Sequence, residues 1–184
     1  VLIFERRIDE AMVLGAAGVF VLGANVDLTG AEIDLLDAEH RELKLRSALA
    51  LVADQFDYVI IDCPPALNLL TINALTAASG LIIPMQCEYY ALEGLSALVE
   101  TIQRVVAQLN PGLKIEGIVR TMYDARNSLT KDVSGQLQSF FSEELYRTVI
   151  PRNVRLAEAP SHGQPIVEYD AASAGARAYL ALAG

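Results

Sequence analysis

The stretch of the sequence with the clearest chemical potential is an apolar run that ends in a carboxylate and two prolines, Tyr58–Pro65 (YVIIDCPP). An Asp at the carboxyl end of a buried parallel strand lies where open α/β sheets bind their ligands. Beside phosphates, the Asp62 carboxylate would hold Mg²⁺, directly or through a water molecule. From the run alone, an Asp that only caps the next turn is the preferred interpretation. The two prolines favour the functional one, because they fix φ twice and make a rigid loop.

The elements that position Asp62 follow an alternating pattern. Short runs rich in Val and Ile alternate with longer helical patterns, which is typical of βαβ units. Predicted strands cover Gly18–Gly23, Tyr58–Asp62, Leu81–Met85, Ile115–Met122 and Tyr146–Ile150. A helical stretch begins at Thr29, with Glu32 as its capping-box partner, and forms either one helix or two helices with a break near His40. Further predicted helices cover Leu67–Ala78, Leu92–Leu109, Ser128–Phe141 and Ala171–Leu182. The predicted fold class is α/β, a doubly wound, mostly parallel sheet with flanking helices.

Composition restricts the class of protein further. Apolar residues make up 53% of the 184, which excludes a disordered chain and suits one domain of ordinary size. No apolar run reaches the roughly 18 residues that span a bilayer. Two cysteines without a CxxC pattern argue against a disulfide framework or a metal cluster, and Cys63 is expected to be a small buried thiol. We expect a soluble, cytoplasmic protein.

The net charge of −9 is unevenly distributed. Residues 1–109 carry 15 of the 23 acidic and 6 of the 14 basic side chains, whereas residues 110–184 carry 8 of each. Any anionic partner is therefore expected to meet the C-terminal part of the chain.

Three long motifs in series resemble those of the ParA/Soj partitioning ATPases. They are Asp57–Leu95, which is similar to the family's Walker B region, Thr121–Arg126 (TMYDAR) and Val149–Gly163 (VIPRNVRLAEAPSHG). The resemblance runs from about Asn25 to the C-terminus. It implies a P-loop NTPase-like fold, incomplete at the N-terminus, and an ATP hydrolase with ATP and Mg²⁺ as cofactors.

The resemblance also assigns nucleotide-binding roles. It implies that Asp62 is the catalytic Walker B acid, which helps to position Mg²⁺ and the attacking water. Pro151, Arg152 and Asn153 resemble the segment that cradles adenine, and an Asn amide can both donate to and accept from a base edge. Without the resemblance, a turn with no ligand would be preferred for this segment. Met122 lies near the same pocket by analogy, with a core role as the alternative.

Two arginines match the family's DNA-binding positions. Arg126 and Arg155 would neutralise phosphates without reading sequence, and each would otherwise be a solvated surface side chain. The resemblance further implies a homodimer with ATP that binds non-specific DNA on the bacterial nucleoid, and a ParB-like partner. It suggests a conformational or dimer-contact role for Glu88 and Glu93.

The sequence departs from the family in one respect. A P-loop needs glycines and a lysine, but Lys44, Lys114 and Lys131 do not follow glycines. By motif position, roughly sixty N-terminal residues of the single ParA-type domain are expected to lie outside residues 1–184. In the family's sheet the P-loop strand lies between the strands that correspond to Tyr58–Asp62 and Leu81–Met85. Without it, we expect this chain alone to fold poorly or to bring those two strands together. We also expect that this chain alone does not bind or hydrolyse ATP.

Two other functions fit the same scaffold. A non-catalytic interaction module would have lost the nucleotide site, although the retained Asp62, Asn153 and the two arginines favour the ATPase. A MinD-like membrane ATPase would need a basic amphipathic C-terminal helix. Only Arg177 is basic near the C-terminal Tyr179–Gly184, so no membrane partner is expected.

Overall fold

The computed structural model describes residues 1–2, 6–15, 18–25 and 27–184, with the side chain of Thr29 left out. Contacts divide the chain into two compact units. The first consists of Val1–Ser79 and Leu98–Leu113, and the second of Gly80–Ala97 and Lys114–Gly184.

The first unit is mainly helical. Its elements are α1 (Ile8–Ala11), the strands β1 (Val13–Leu14) and β2 (Phe20–Val21), α2 (Asp27–Leu35), α3 (Lys44–Leu49), α4 (Leu69–Ala77) and the second half of α5 (Tyr89–Gln108). Short 3₁₀ turns cover Arg41–Leu43 and Ala53–Gln55. The buried apolar side chains include Leu35, Val52, Leu75, Ile102 and Val105.

The helical stretch after Thr29 is two helices rather than one. His40 has a φ of 51°, a left-handed conformation that a helix cannot continue through, so of the two alternatives, one helix or two, the structure has two. Asn73 on α4, which is 1% exposed, holds the segment that follows this break. Its amide donates to the carbonyl of Arg41 at 2.8 Å and accepts from the backbone N–H of Leu45 at 3.1 Å.

Glu32 acts on a different helix from the one expected. Its carboxylate accepts from the Asn68 side chain at 3.0 Å and from the Leu69 backbone N–H at 3.1 Å, at the start of α4. An anion at a helix N-terminus satisfies a free N–H and opposes the positive end of the dipole. The predicted capping box cannot be followed further, because the Thr29 side chain lies outside the described residues.

The predicted strand Tyr58–Asp62 is wrong for this structure. Residues 58–62 form neither helix nor strand, and Tyr58 and Ile60 are 88% and 93% exposed. A strand requires a neighbour for its N–H and C=O groups, and in the described part of the chain none pairs with this run. Cys63, expected to be buried, is exposed as well. The strand predicted at Gly18–Gly23 is reduced to β2, which pairs antiparallel with β1.

The second unit contains the parallel sheet. Its strands are β3 (Gly80–Gln86), β4 (Lys114–Tyr123) and β5 (Leu145–Pro151), in the order β3-β4-β5. Its helices are the first half of α5, α6 (Ser128–Phe140), α7 (Val154–Glu158), α8 (Ile166–Tyr169) and α9 (Ala174–Ala183). Buried apolar residues from the strands and α6 form the core, among them Ile83, Ile118, Leu137 and Ile150.

The predicted α/β class is confirmed by this unit. A helix follows β3 and another follows β4, as parallel neighbours require. Three of the predicted strands and the helices at Leu67–Ala78, Leu92–Leu109, Ser128–Phe141 and Ala171–Leu182 are found to within a few residues. Among the described helices, none combines the length and apolar character needed to cross a membrane.

Candidate functional site

The carboxyl ends of β4 and β5 bring four predicted site residues to one edge of the sheet. Tyr123 pairs with Pro151, and the Arg152 backbone N–H donates to the Tyr123 carbonyl at 3.1 Å. Met122 therefore lies on the strand beside the Pro151-Arg152-Asn153 segment. This edge is where parallel sheets bind ligands.

Met122 has a backbone conformation that an L-residue rarely adopts. Its φ is 51°, and its side chain is 41% exposed rather than part of the core. A left-handed conformation at a non-glycine residue costs on the order of 1–2 kcal/mol and is concentrated at functional sites. The core role considered for Met122 is therefore not the one it has here.

A cavity of about 240 Å³ opens at this edge. Its lining residues are Gln86, Cys87, Glu88, Met122, Asp124, Asn127, Thr130 and Arg152. Pockets that enclose a whole drug-sized ligand measure roughly 300–1,000 Å³. The cavity is thus large enough for one ring system with polar edges rather than for a complete nucleotide.

Asp124, in the cavity wall, forms several hydrogen bonds with Arg126 that lower its pKa. Its Oδ1 accepts from the backbone N–H and from Nε of Arg126, at 3.0 and 2.9 Å, and its Oδ2 accepts from Nη2 of Arg126 at 2.9 Å. These hydrogen bonds lower the pKa of the Asp124 carboxyl to about 2, and the charge of Arg152 contributes in the same direction. Asp124 is therefore ionised wherever the protein is folded near neutral pH.

The start of α6 completes this wall. Asn127 caps the helix, because its side-chain oxygen accepts from the Leu129 backbone N–H at 3.0 Å. The Asn127 backbone N–H in turn donates to the Asp124 carbonyl at 3.1 Å. Thr130, 5% exposed, lies in the first turn of the helix. The turn thereby holds Asp124 and Asn127 at fixed positions beside the cavity.

Three further lining residues lie at the end of β3 or directly after it. The Glu88 backbone N–H donates to the Gln86 carbonyl at 2.9 Å, which turns the chain at the strand end. Cys87 between them is 4% exposed, and burial raises the pKa of its thiol, while the charge of Arg120 opposes that rise. A neutral thiol is a poor nucleophile, so Cys87 contributes shape rather than reactivity.

Asp124, Asn127, Thr130, Gln86 and Cys87 were not predicted as site residues. Asn127 and Thr130 lie at the start of α6. Gln86, Cys87 and Asp124 instead share one signal, because each lies at or directly after the carboxyl end of a parallel strand. Treating every polar side chain at such positions as a candidate would have found Gln86 and Asp124.

The two predicted DNA-binding arginines are both exposed and both paired. The Arg126 side chain is 90% exposed and bound to Asp124. The Arg155 guanidinium lies 2.9 Å from Glu158 and 3.5 Å from Asp170. In this structure each cation is thus held by a carboxylate of the same chain, which competes with any external phosphate.

Asp62 lies in the first unit, in a segment that forms neither helix nor strand. Its side chain is exposed, and the residue directly follows the largely exposed run at residues 58–61. In the described residues, no group of three or more His, Cys, Asp or Glu side chains is arranged to hold a metal ion. A Mg²⁺ ion at Asp62 would therefore need phosphate oxygens as further ligands, which is how Mg²⁺ is commonly bound.

Comparison with known proteins decides the family. Residues 1–115 match a family model described as an AAA domain. The chain is 55% identical over 187 residues to the sporulation initiation inhibitor protein Soj of Bacillus subtilis, covering 98% of this chain and 74% of Soj. It is 48% identical over 189 residues to the chromosome partitioning protein ParA of Caulobacter vibrioides, covering 98% and 71%. The chain belongs to the ParA/Soj family of partitioning ATPases.

Solved structures agree with this ParA/Soj assignment. The cobyrinic acid a,c-diamide synthase of Mycobacterium smegmatis with bound ADP and magnesium matches 89% of this chain and 72% of its own, with a TM-score of 0.78 and 36% identity. The cell division ATPase MinD of Pyrococcus furiosus matches 97% and 70%, with a TM-score of 0.73 and 25% identity. The fold is therefore P-loop NTPase-like.

Proposed function

We propose that the cavity at the carboxyl edge of the sheet binds the adenine ring of ATP in a ParA/Soj partitioning ATPase. The observation that supports this most is the strained Met122, held beside Pro151 and Arg152 at the edge of a ring-sized cavity. An apolar thioether next to polar groups suits a heteroaromatic ring, whose faces are apolar and whose edges form hydrogen bonds.

Asn153 contributes a directed polar group to this edge. Its Oδ1 is occupied by the Arg155 backbone N–H at 2.9 Å. The amide NH₂ is the remaining donor of this side chain, and we expect it to meet a ring nitrogen of the base. Pro151 and Arg152 place this amide by continuing the pairing with β4.

Asp62 would supply the metal and water chemistry of the same enzyme. We propose that it holds Mg²⁺, with phosphate oxygens, and helps to orient the attacking water. Mg²⁺ supplies charge neutralisation for the phosphates when it is bound. In these 184 residues no lysine directly follows a glycine, as a P-loop requires, so we expect no ATP hydrolysis by this chain on its own.

DNA binding is the second part of the proposal. Arg126 and Arg155 would contact phosphates of non-specific DNA. An ATP-bound homodimer would double this basic surface, and a ParB-like protein would stimulate the ATPase. A protein with this function would be cytoplasmic and bound to the nucleoid. We also propose that residues 1–184 belong to a single ParA-type domain.

A titration followed by NMR tests the base-binding part. Adenosine at millimolar concentration is expected to shift the Met122 methyl and Asn153 side-chain amide signals saturably, and Asn153→Asp is expected to weaken the binding. Asp132→Asn, an exposed carboxylate on α6, serves as the matched control. Shifts that do not saturate, or that are equal in the Asn153→Asp variant, would argue against the site.

A Mg²⁺–ATP titration tests whether Asp62 can bind Mg²⁺ and phosphates without a P-loop. We expect no tight binding and no difference between the wild type and Asp62→Ala in this chain. Exposed Asp54, on the Ala53–Gln55 turn, provides the matched control Asp54→Ala. Tight Mg²⁺-dependent binding that is lost only in Asp62→Ala would show that these residues bind phosphates without a P-loop.

One observation favours the alternative, a non-catalytic interaction module. The run at residues 58–62 is exposed and unpaired in the described part of the chain, which leaves apolar side chains and backbone groups for a partner strand. Such a module would not bind adenosine, so the adenosine titration separates it from the ATPase. The Mg²⁺–ATP titration does not, because we expect no tight binding in either case.

A further inference from the structure

The hydroxyl of Thr130 is buried without a hydrogen-bond partner. Thr130 is 5% exposed and lines the cavity at the carboxyl edge of the sheet. Among the described residues, no group donates to this hydroxyl or accepts from it. Its oxygen is not sealed in by protein, since in the same part of the chain the sealed side-chain atom without a partner is Nε of Arg120. The Thr130 hydroxyl is therefore reached from the cavity.

The position of Thr130 in α6 explains why its hydroxyl has no partner in the helix. A hydroxyl in a helix commonly donates to the carbonyl one turn earlier, as Thr76 does to Ile72 at 2.7 Å. Thr130 is the third residue of α6, and the carbonyl four residues earlier belongs to Arg126, before the helix begins. The usual acceptor is thus not aligned by the helix. Because buried hydroxyls in native proteins are nearly always hydrogen-bonded, we expect the partner of this one inside the cavity.

The neighbouring groups at this end of α6 are hydrogen-bond donors. Asn127, which also lines the cavity, uses its side-chain oxygen for the Leu129 backbone N–H, so its NH₂ group is the part left for a ligand. The first turn of a helix also carries backbone N–H groups without an acceptor in the helix, and a partial positive charge. This wall therefore favours an acceptor atom of the ligand, to which the Thr130 hydroxyl donates.

We propose that the Thr130 hydroxyl donates a hydrogen bond to an unprotonated ring nitrogen of the base in the cavity, which makes Thr130 a specificity-determining residue of this site. The inference rests on the proposed function and adds a residue to it. The ligand class is a heteroaromatic base with a ring nitrogen that accepts at this wall. A base with carbon or a protonated nitrogen at that position leaves the hydroxyl unpaired and binds more weakly.

Replacing the hydroxyl by a methyl group tests whether it contributes to binding. In NMR titrations with adenosine, Thr130→Val, which keeps the shape of the side chain, is expected to raise Kd about three- to tenfold, whereas Thr130→Ser, which keeps the hydroxyl, should stay within about twofold of the wild type. Thr76→Val is the matched control, because it removes a buried hydroxyl from α4 that does not line the cavity. Equal affinities of the wild type and Thr130→Val would overturn the inference.

Thermal unfolding without ligand separates a binding role from a structural one. Because the hydroxyl has no partner in the described part of the chain, Thr130→Val is expected to unfold at the same temperature as the wild type or at a higher one. A clear fall in Tm would mean that the hydroxyl bonds to the protein itself and would also overturn the inference.

Adenosine analogues identify the accepting atom. The 1-, 3- and 7-deaza derivatives of adenosine each carry C–H in place of one ring nitrogen. One of the three is expected to bind the wild type about three- to tenfold more weakly than adenosine does, and Thr130→Val should bind that analogue and adenosine equally, because both changes remove the same bond. If Thr130→Val discriminates among the analogues as the wild type does, the inference fails and base binding stands. If adenosine does not bind the wild type saturably, the proposed function fails and the inference fails with it.

Discussion

The side-chain oxygen of Asn153 accepts a hydrogen bond from the backbone N–H of Arg155 at 2.9 Å and so begins helix α7. The two residues were predicted to serve different ligands, a base for Asn153 and a DNA phosphate for Arg155. The cap places them in one rigid turn, so a change at Asn153 acts on both.

Replacing Asn153 separates its two roles. Asn153→Asp keeps a side-chain acceptor for the cap but removes the amide donor, whereas Asn153→Ala removes both. We expect the Ala variant to lose about 1 kcal/mol of unfolding free energy, and the Asp variant to lose much less. Both should bind adenosine weakly. Chemical denaturation with an adenosine titration measures the two effects, and normal binding by Asn153→Asp would assign Asn153 to the cap alone.

Met122 offers a test of backbone strain. Glycine adopts a φ of 51° without a Cβ clash, so Met122→Gly is expected to be about 1 kcal/mol more stable than Met122→Ala. Both variants lose the side chain beside the cavity and should bind adenosine equally poorly. Denaturation midpoints of the pair give the strain. Equal stability would mean that the left-handed conformation relaxes when the side chain is shortened.

The sheet could be predicted from sequence, and part of the site could not. The runs that became β3, β4 and β5 have the composition of buried strands and also find partners, so local pattern and tertiary structure agree. Tyr58–Asp62 has the same composition, but a pattern cannot show whether a neighbouring strand is present. Asp124 was not predicted as a site residue, because its role depends on the cavity and on its ion pair with Arg126. Neither of these produces a periodic pattern in the sequence.

The ionisation of Asp124 gives a prediction for pH. Hydrogen bonds from Arg126 lower its pKa from 3.8 to about 2. A depressed pKa means that this carboxyl adds stability above its unfolded value and that the contribution is lost as pH falls through the folded value, here from about 4 to about 2. Carbon-detected NMR of the Asp124 carboxyl should show a midpoint near 2. Arg126→Ala should raise the midpoint toward 3.8, whereas Arg177→Ala, which removes an exposed arginine from α9, should not.

Gly175 is expected to fix the position of the helix that carries Arg155. A Cβ on Gly175 would lie 2.5 Å from Cγ of Leu156, one residue after Arg155 on α7. Gly175→Ala should therefore cost about 1–3 kcal/mol, as overpacking does, and Leu156→Ala in the same chain should recover part of that loss. Gly135→Ala is the control, since nothing lies within 4 Å of a Cβ there. In the middle of α6 it should stabilise by roughly 0.5–1 kcal/mol. A Gly175→Ala variant as stable as wild type would show that α7 moves freely.

The last prediction concerns hydrogen exchange in the exposed run at residues 58–62. Its amides have no strand partner in the described part of the chain, so hydrogen exchange at residues 58–62 should be nearly as fast as in an unfolded peptide. The strand β4, paired on both sides, should be protected in the same sample and serves as the internal control. Mass spectrometry of peptides from the two regions gives both rates. Slow exchange at residues 58–62 would mean that the run pairs in solution, either with β3 or in a second copy. Asp62 would then lie at the end of a paired strand, the position first predicted for it.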